Sequence, residues 1–371
     1  MKKIKLFVFI PSLRGGGAER VSFKIASRFD PKLFDTTLVV GKKEGEYVSA
    51  LPANLAVHDL GRKRVRSCII PLAFLFRREK PDVVISFMHH SNIAVLLAKV
   101  LSFSSVKVIT AERNIMEYVY EHVPKIVLPF VRLLYRLSAA SLGGSRGLQE
   151  NVQAFLKIPK DKFRVIYNPI DFDFIQNKAK EPTHHPWLQN SHPPVVLGVG
   201  RLVPQKDFAT LIRAFALAKK PQGTRLIILG QGPLKEELLA LTEKLGVADI
   251  VDLPGFQKNP YSFFANADVF VLSSLWEGFG NVIPEAFALG VPVVSTDCNY
   301  GPNEIVRNGV NGLLVPPGDI EAMARGVQRM LGDREFALRC DLNARKESEN
   351  LSIENIVKQY QDFVNFVIKK K

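Results

Sequence analysis

Two glutamates eight residues apart, Glu277 and Glu285, bracket a glycine-rich bend in the stretch SSLWEGFGNVIPE, Ser273 to Glu285. A carboxylate accepts two hydrogen bonds side by side, which matches a vicinal diol such as the 2′ and 3′ hydroxyls of a ribose. Gly278 and Gly280 let a ligand reach the backbone with no Cβ in the way, and the amides that open the following run, PEAFAL, aim at the bend. Such a place suits a phosphate or a sugar hydroxyl. The plainer reading is a solvated loop glutamate followed by a helix-start glutamate facing the macrodipole. Two cations, Arg201 and Lys206, stand just past another apolar run, VVLGVG, where they could neutralise a diphosphate. Close-approach glycines recur at Gly200, at Gly230 and Gly232 in GQGP, and at Gly15, Gly16 and Gly17 near the amino end.

Other polar groups follow apolar runs in the first half. His89 and His90 come after VVISFM, and Glu112, Arg113 and Asn114 after VKVIT, at strand ends from which side chains can reach into an interdomain cleft. No other His or Cys lies at ligand spacing from the histidine pair, so a polar loop role is expected there and no metal site. Asp171 and Asp173 form a D-x-D that could hold a divalent metal on a nucleotide diphosphate, but they sit in a proline turn and read as turn and helix-cap residues. Cys68, Cys298 and Cys340 lie far apart without C-x-x-C spacing and read as free thiols of a reducing compartment.

These groups need strands to deliver them. Apolar runs predict strands at Lys5 to Ile10, Thr36 to Val40, Val83 to Phe87 and Val106 to Thr110, then at Val195 to Gly200, Arg225 to Leu229, Ile250 to Leu253, Val269 to Leu272 and Val291 to Ser295. Helical segments alternate with them, which argues α/β architecture with doubly wound parallel sheets. The first glycine turn is not G-x-G-x-x-G and no acidic residue ends a second strand at the usual distance, which counts against a dinucleotide oxidoreductase. A chain of 371 residues with 47% hydrophobic residues suffices for two domains with cores. The polar stretch from Asn177 to Pro194 reads as a linker or long surface loop between them.

The net charge of +14 is uneven: residues 1–180 carry 30 Lys and Arg against 15 Asp and Glu, and the remainder 20 against 21. Something the first half touches is therefore expected to be anionic. Arg62, Lys63, Arg64 and Arg66 precede the apolar CIIPLAFLF, a composition that suits a helix at an anionic membrane surface or, alternatively, a core-facing helix with a solvated charged end. Lys125 to Arg136, KIVLPFVRLLYR, is a second such segment. Nucleic acid is not expected, since the basic clusters lack interleaved aromatic platforms and no helix-turn-helix, zinc or RNA-binding signature occurs. The amino-terminal apolar run, Leu6 to Ile10, is too short for a signal peptide, and nowhere do 18 apolar residues run together.

The ordered set Gly16-Gly17, GRLVPQK at Gly200 to Lys206, GQGP at Gly230 to Pro233 and the two glutamates at Glu277 and Glu285 closely resembles retaining glycosyltransferases of family 4, which have the GT-B fold. The stretch DCNYGPNEIVRNGVNGLLVPPGD, Asp297 to Asp319, is also similar to that family's carboxy-terminal domain, and the GGGAER start and the ERN of Glu112 to Asn114 look most like bacterial members that build lipopolysaccharide core, capsule or lipid-linked oligosaccharides. The resemblance implies two Rossmann-like domains facing across a cleft. An acceptor domain would span 1–175 and a nucleotide-sugar domain 195–350, with a final helix, 353–368, packing back on the first. It implies that Arg201 and Lys206 hold the diphosphate, Glu285 the ribose and Glu277 the donor sugar. The backbone of Phe279, Gly280, Asn281 and Val282 would lie near sugar and phosphate, and Gly16 and Gly17 would approach from the opposite domain. Many members carry a His after the strand that here runs VKVIT; Glu112 stands at about that place, so its sugar contact passes to Glu112, Arg113, Asn114, His89 or His90.

The implied activity is retaining transfer from a UDP-sugar such as UDP-GlcNAc, UDP-GalNAc or a UDP-hexose to a glycolipid or lipid-linked glycan, without metal or other cofactor. The expected place is cytoplasmic and peripheral on the inner membrane face. Rival readings are a nucleotide-sugar epimerase of the same fold, which needs carboxylates or His poised for proton abstraction, and a non-catalytic membrane- or sugar-binding module.

Overall fold

The structure, a computed structural model, describes residues 2–14, 17–121, 123–189, 193–218 and 221–370. The chain divides into two compact units, Met1–Pro169 with Ile353–Lys371, and Ile170–Ser352. The first holds β1 (Ile4–Ile10), β2 (Phe34–Val40), β3 (Ala56–Asp59), β4 (Val83–Phe87), β5 (Lys107–Glu112), β6 (Ala140–Gly143) and β7 (Phe163–Val165). They form one sheet in the order β3-β2-β1-β4-β5-β6-β7, every neighbouring pair parallel. The central strands are buried on both faces, as Leu6–Ile10 shows, and so read as continuous apolar runs rather than alternating ones. Chain order reverses between β1 and β4, the place where connections leave in opposite directions and a crevice opens at the carboxyl ends.

Helices Gly17–Ala26, Ile69–Glu79, His89–Ser102, Val127–Tyr135 and Arg146–Leu156 flank this sheet. The last helix of the chain, Ile353–Lys369, belongs to the same unit: Ile356, Tyr360, Phe363, Val364 and Val367 share the core of β1 and β4. Its carboxyl end is capped from the sheet, where Lys107 Nζ donates to the carbonyls of Val367, Ile368 and Lys370 at 3.0, 3.1 and 2.6 Å.

The second unit holds β8 (Val195–Val199), β9 (Arg225–Leu229), β10 (Val251–Gly255), β11 (Val269–Leu272), β12 (Val293–Thr296) and β13 (Leu313–Val315), ordered β10-β9-β8-β11-β12-β13 and all parallel. The reversal lies between β8 and β11. Both sheets are therefore doubly wound. Asp171 Oδ1 accepts from Phe174 N at 3.3 Å and caps the helix Phe172–Ala179, the turn-and-cap role expected of it.

The stretch expected as a linker or surface loop is anchored on the second unit at single points: the buried His185 Nε2 meets Asp252 at 2.8 Å and Arg225 stacks over Trp187 at 5.1 Å. Just before it, Ile175 lies against Tyr261 and Ala288, and the second unit begins at Ile170. Proline and polar residues conceal this, because the packing runs through single anchors without periodicity.

Candidate functional site

In the second unit, the loops after β8 and β11 meet at the strand-order reversal. Lys206 and Glu277 form an ion pair whose side chains are only 15% and 10% exposed. Ser274 Oγ donates to the same Glu277 oxygen at 2.7 Å. Burial alone would penalise either charge heavily, and the partner makes it tolerable. The two loops are also stitched together through backbone: Ser273 Oγ donates to Lys206 O at 2.7 Å, Leu275 N to Gln205 O at 2.8 Å and Gln205 Nε2 to Trp276 O at 2.9 Å. Thr296 Oγ1, on β12, donates to Ser274 O at 2.6 Å and holds the third side of the bend. Arg201 is exposed, with one guanidinium nitrogen 3.4 Å from Gln205 Oε1.

The glycines serve close approach. A Cβ on Gly230 would sit 1.8 Å from Gly200 O, at a φ of +140°, and one on Gly232 would sit 2.3 Å from Leu202 O, so the β9 turn lies directly on the backbone that leads to Arg201 and Lys206. A Cβ on Gly200 would press on the Lys206 stem at 3.2 Å. Gly280, at φ +84°, turns the chain into the helix Val282–Ala288, whose first turn carries Glu285; Glu285 is 7% exposed. Gly301, at φ +96°, lies against the backbone of the buried Phe279. Asn281 precedes the helix and Val282 opens it. Cys298 is near enough to feel the glutamate: burial, then the Glu277 charge, push its thiol up to about 12, which leaves it inert.

In the first unit, Gly17 opens the helix after β1, while Gly16 lies outside the described residues. β4 is followed by Met88, whose φ of +74° is a strained backbone for a side-chain residue and which caps the helix that starts at His89. His89 is buried and is not a loop residue. Its Nδ1 lies 3.2 Å from Glu112 Oε1 and 3.0 Å from the Tyr135 hydroxyl, and its Nε2 2.7 Å from the Tyr120 hydroxyl. Asn92 Nδ2 donates to Glu112 at 2.9 Å, and Tyr135 donates to it as well.

Glu112, named among the strand-end residues that can reach into an interdomain cleft, ends β5 with no exposed surface. Burial would raise its carboxyl, but the His89 ring and the hydrogen bonds from His89, Tyr135 and Asn92 outweigh that and hold it below the ordinary carboxylate range. Burial and the Glu112 charge push the Tyr120 hydroxyl up to about 12. Arg113 also turns inward, donating to Asn168 Oδ1 at 2.6 Å and to the Tyr360 hydroxyl at 2.7 Å. Only His90 and Asn114 of the five are exposed. Ser274, Tyr120 and Tyr135 were not singled out in the sequence, although Ser274 and Tyr135 lie in stretches that were, because each meets its partners only through the fold.

Arg62, Lys63, Arg64 and Arg66 are all exposed. The helix they lead into, Ile69–Glu79, buries Leu72, Ala73, Leu75 and Phe76 and leaves Ile70 and Phe74 outward. No group of three metal-ligating residues occurs among the described residues, and no helix there is long and apolar enough to cross a membrane.

Residues 15–174 match the family model Glycosyltransferase Family 4, and residues 179–347 match Glycosyl transferases group 1. A Campylobacter jejuni relative, N-acetylgalactosamine-N,N'-diacetylbacillosaminyl-diphospho-undecaprenol 4-alpha-N-acetylgalactosaminyltransferase, is 33% identical over 341 residues, 89% of this chain and 90% of that protein. The Rhizobium meliloti lipopolysaccharide core biosynthesis glycosyltransferase LpsE is 43% identical over 146 residues, 39% of this chain and 42% of its own length. Among solved structures, Anabaena HepE in complex with UDP and glucose superposes with a TM-score of 0.82 at 21% identity, covering 98% of this chain and 99% of that one. The likeness shows the GT-B fold.

Proposed function

The chain belongs to the family 4 glycosyltransferases, and from that premise we propose that it moves a hexose or N-acetylhexosamine from a UDP-sugar to a lipid-linked glycan, with retention and without a metal. The observation that carries this reading is the Lys206–Glu277 pair, held by Ser274 where β8 and β11 part. A lysine there supplies a fixed positive charge for a diphosphate leaving group, and Arg201 a second, more exposed one. Two cations in place of a divalent ion are the ground for metal independence. Glu277, already oriented by two donors, keeps a carboxylate oxygen for a donor-sugar hydroxyl, and Glu285 suits the ribose diol. Retention would follow from reaction on the donor's own face, where positioning and charge stabilisation do most of the work.

The acceptor class rests on the Campylobacter relative, whose name describes transfer onto a diphospho-undecaprenol saccharide, and on the basic first half of this chain. UDP is favoured by HepE, solved with UDP and glucose. With such an acceptor, the proposed site of action is the inner face of the cytoplasmic membrane.

Calorimetry with UDP, GDP and ADP, each with and without EDTA, tests the donor half, because a ligand that binds the folded state raises its melting temperature by mass action. UDP alone is expected to bind, and to bind equally in EDTA. Transfer from UDP-sugars to extracted lipid-linked saccharides, with the product anomer read by NMR, tests the rest. No UDP binding, or an inverted product, overturns the proposal.

A further inference from the structure

The helix Val127–Tyr135 wears its apolar residues on the outside. Its inner face is accounted for by Val131, Leu134 and Tyr135, all buried. On the opposite face Ile126 is 85% exposed, Phe130 57%, Leu133 58% and Leu137 43%. Their spacing of four, three and four residues puts them on one stripe, about 16 Å long at 1.5 Å per residue. Isolated exposed leucines need no explanation, but four large apolar side chains along one helix and the turns at its two ends do.

The charges beside the stripe are of one sign. Lys125, Arg132 and Arg136, spaced seven and four apart, share one flank of the helix, between the buried face and the exposed row. Arg132 is braced in that position by Phe155 O, to which its Nε donates at 2.9 Å. No acidic residue occurs between Glu121 and Glu150. A second copy of this chain would bring the same cations against its own, which disfavours pairing through this face.

We propose that this helix is the surface by which the enzyme lies on an anionic bilayer, with Ile126, Phe130, Leu133 and Leu137 immersed below the headgroups and Lys125 and Arg136 on lipid phosphates. The occupant is lipid because the exposed row is apolar and its one charged flank carries only cations. The Arg62 to Arg66 cluster, by contrast, leads into a helix that spends most of its apolar face on the core. The docking serves the lipid-linked acceptor proposed above, on which its purpose rests, but it is measurable without any acceptor.

The test is flotation of the full chain with vesicles of phosphatidylcholine, alone or doped with phosphatidylglycerol, alongside UDP calorimetry on each variant. Wild type is expected to float with the doped vesicles and far less with phosphatidylcholine alone. The pair Phe130→Ser and Leu133→Ser, and separately Lys125→Gln with Arg136→Gln, is each expected to weaken that binding about tenfold or more. UDP binding, which belongs to the other unit, stays as in wild type. An Ile126→Trp variant, with nothing removed from the core, is expected to shift its fluorescence to the blue on doped vesicles. Undiminished flotation of both pairs, loss only in an Arg62, Lys63, Arg64 and Arg66→Gln variant, or a solution dimer that Phe130→Ser splits would each overturn the assignment. Failure of UDP binding in wild type would sink the donor reading and leave this one standing.

Discussion

Glu277 is nearly buried, with Lys206 as its counter-charge and the Ser274 hydroxyl as a second donor. Replacing it with Gln keeps a hydrogen-bond acceptor for Ser274 and removes the counter-charge. An ammonium left unpaired in such a place costs about 3 kcal/mol of stability. A diphosphate can take over the lost charge, so we expect Glu277→Gln to melt earlier without ligand, to recover most of the difference with UDP, and to lose about 100-fold or more in transfer. Calorimetry with and without UDP, beside a transfer assay, separates the three; full turnover in the variant would remove Glu277 from the chemistry. Glu112 makes a different prediction. Its carboxyl is held below the ordinary range, so its contribution to stability is complete above the usual value of about 4.3 and fades as pH falls through the lowered one. The stability gap between wild type and Glu112→Gln, measured by urea melts from neutral pH downward, should therefore be widest at neutral pH and close in acid. The types and strand-end positions of Lys206 and Glu277 made them visible in the sequence. Their mutual contact, and the network of Glu112 with Tyr120 and Tyr135, are long-range pairings that no spacing encodes.

Among the elements, those with long runs of bulky apolar residues were the ones most plainly announced in the sequence. β4 and β11 are buried along their whole length and stand out as apolar runs. β3, an edge strand reading AVHD, is half solvated, while β6, with ASLG, and the three-residue β7 and β13 are too short or too small-sided to show a period. The helix Val127–Tyr135 was legible as amphipathic, but which of its sides faces water depends on where its neighbours sit. Glycine turns were legible as turns, and only the fold shows which of them have no room. Gly230 is one: its φ is +140° and a Cβ would meet Gly200 O at 1.8 Å. Gly246 shares a positive φ, +66°, with nothing within 4 Å. Gly246→Ala should cost about 1 kcal/mol for its backbone alone. Gly230→Ala must also push apart the turn that carries Arg201 and Lys206, and we expect about 3 kcal/mol or more together with lost UDP affinity. Equal melting temperatures for the two variants would show that the β9 turn does not brace the site.

At the scale of the molecule, the chain leaves its first unit at Pro169 and returns to it at Ile353, so that unit is finished only when the last helix arrives. That helix buries Ile356, Tyr360, Phe363, Val364 and Val367 in the first sheet's core, worth about 10 kcal/mol at 1.5 to 3 kcal/mol per side chain. A domain's whole stability is about 5 to 15 kcal/mol, so removing the helix takes away most or all of what holds the first unit folded. It also uncovers Lys107, which now caps three carbonyls, and the Arg113 guanidinium, which now bonds Tyr360. Among the described residues, the main core cluster of the second unit includes none from that helix. A chain ended at Ser352 should therefore lose one calorimetric transition and keep another. Limited proteolysis should digest the first unit and leave a resistant fragment near residues 170–352 that UDP still stabilises. Two intact transitions in the shortened chain would mean that the first sheet is stable without its last helix, and that the return of the chain closes the fold without supporting it.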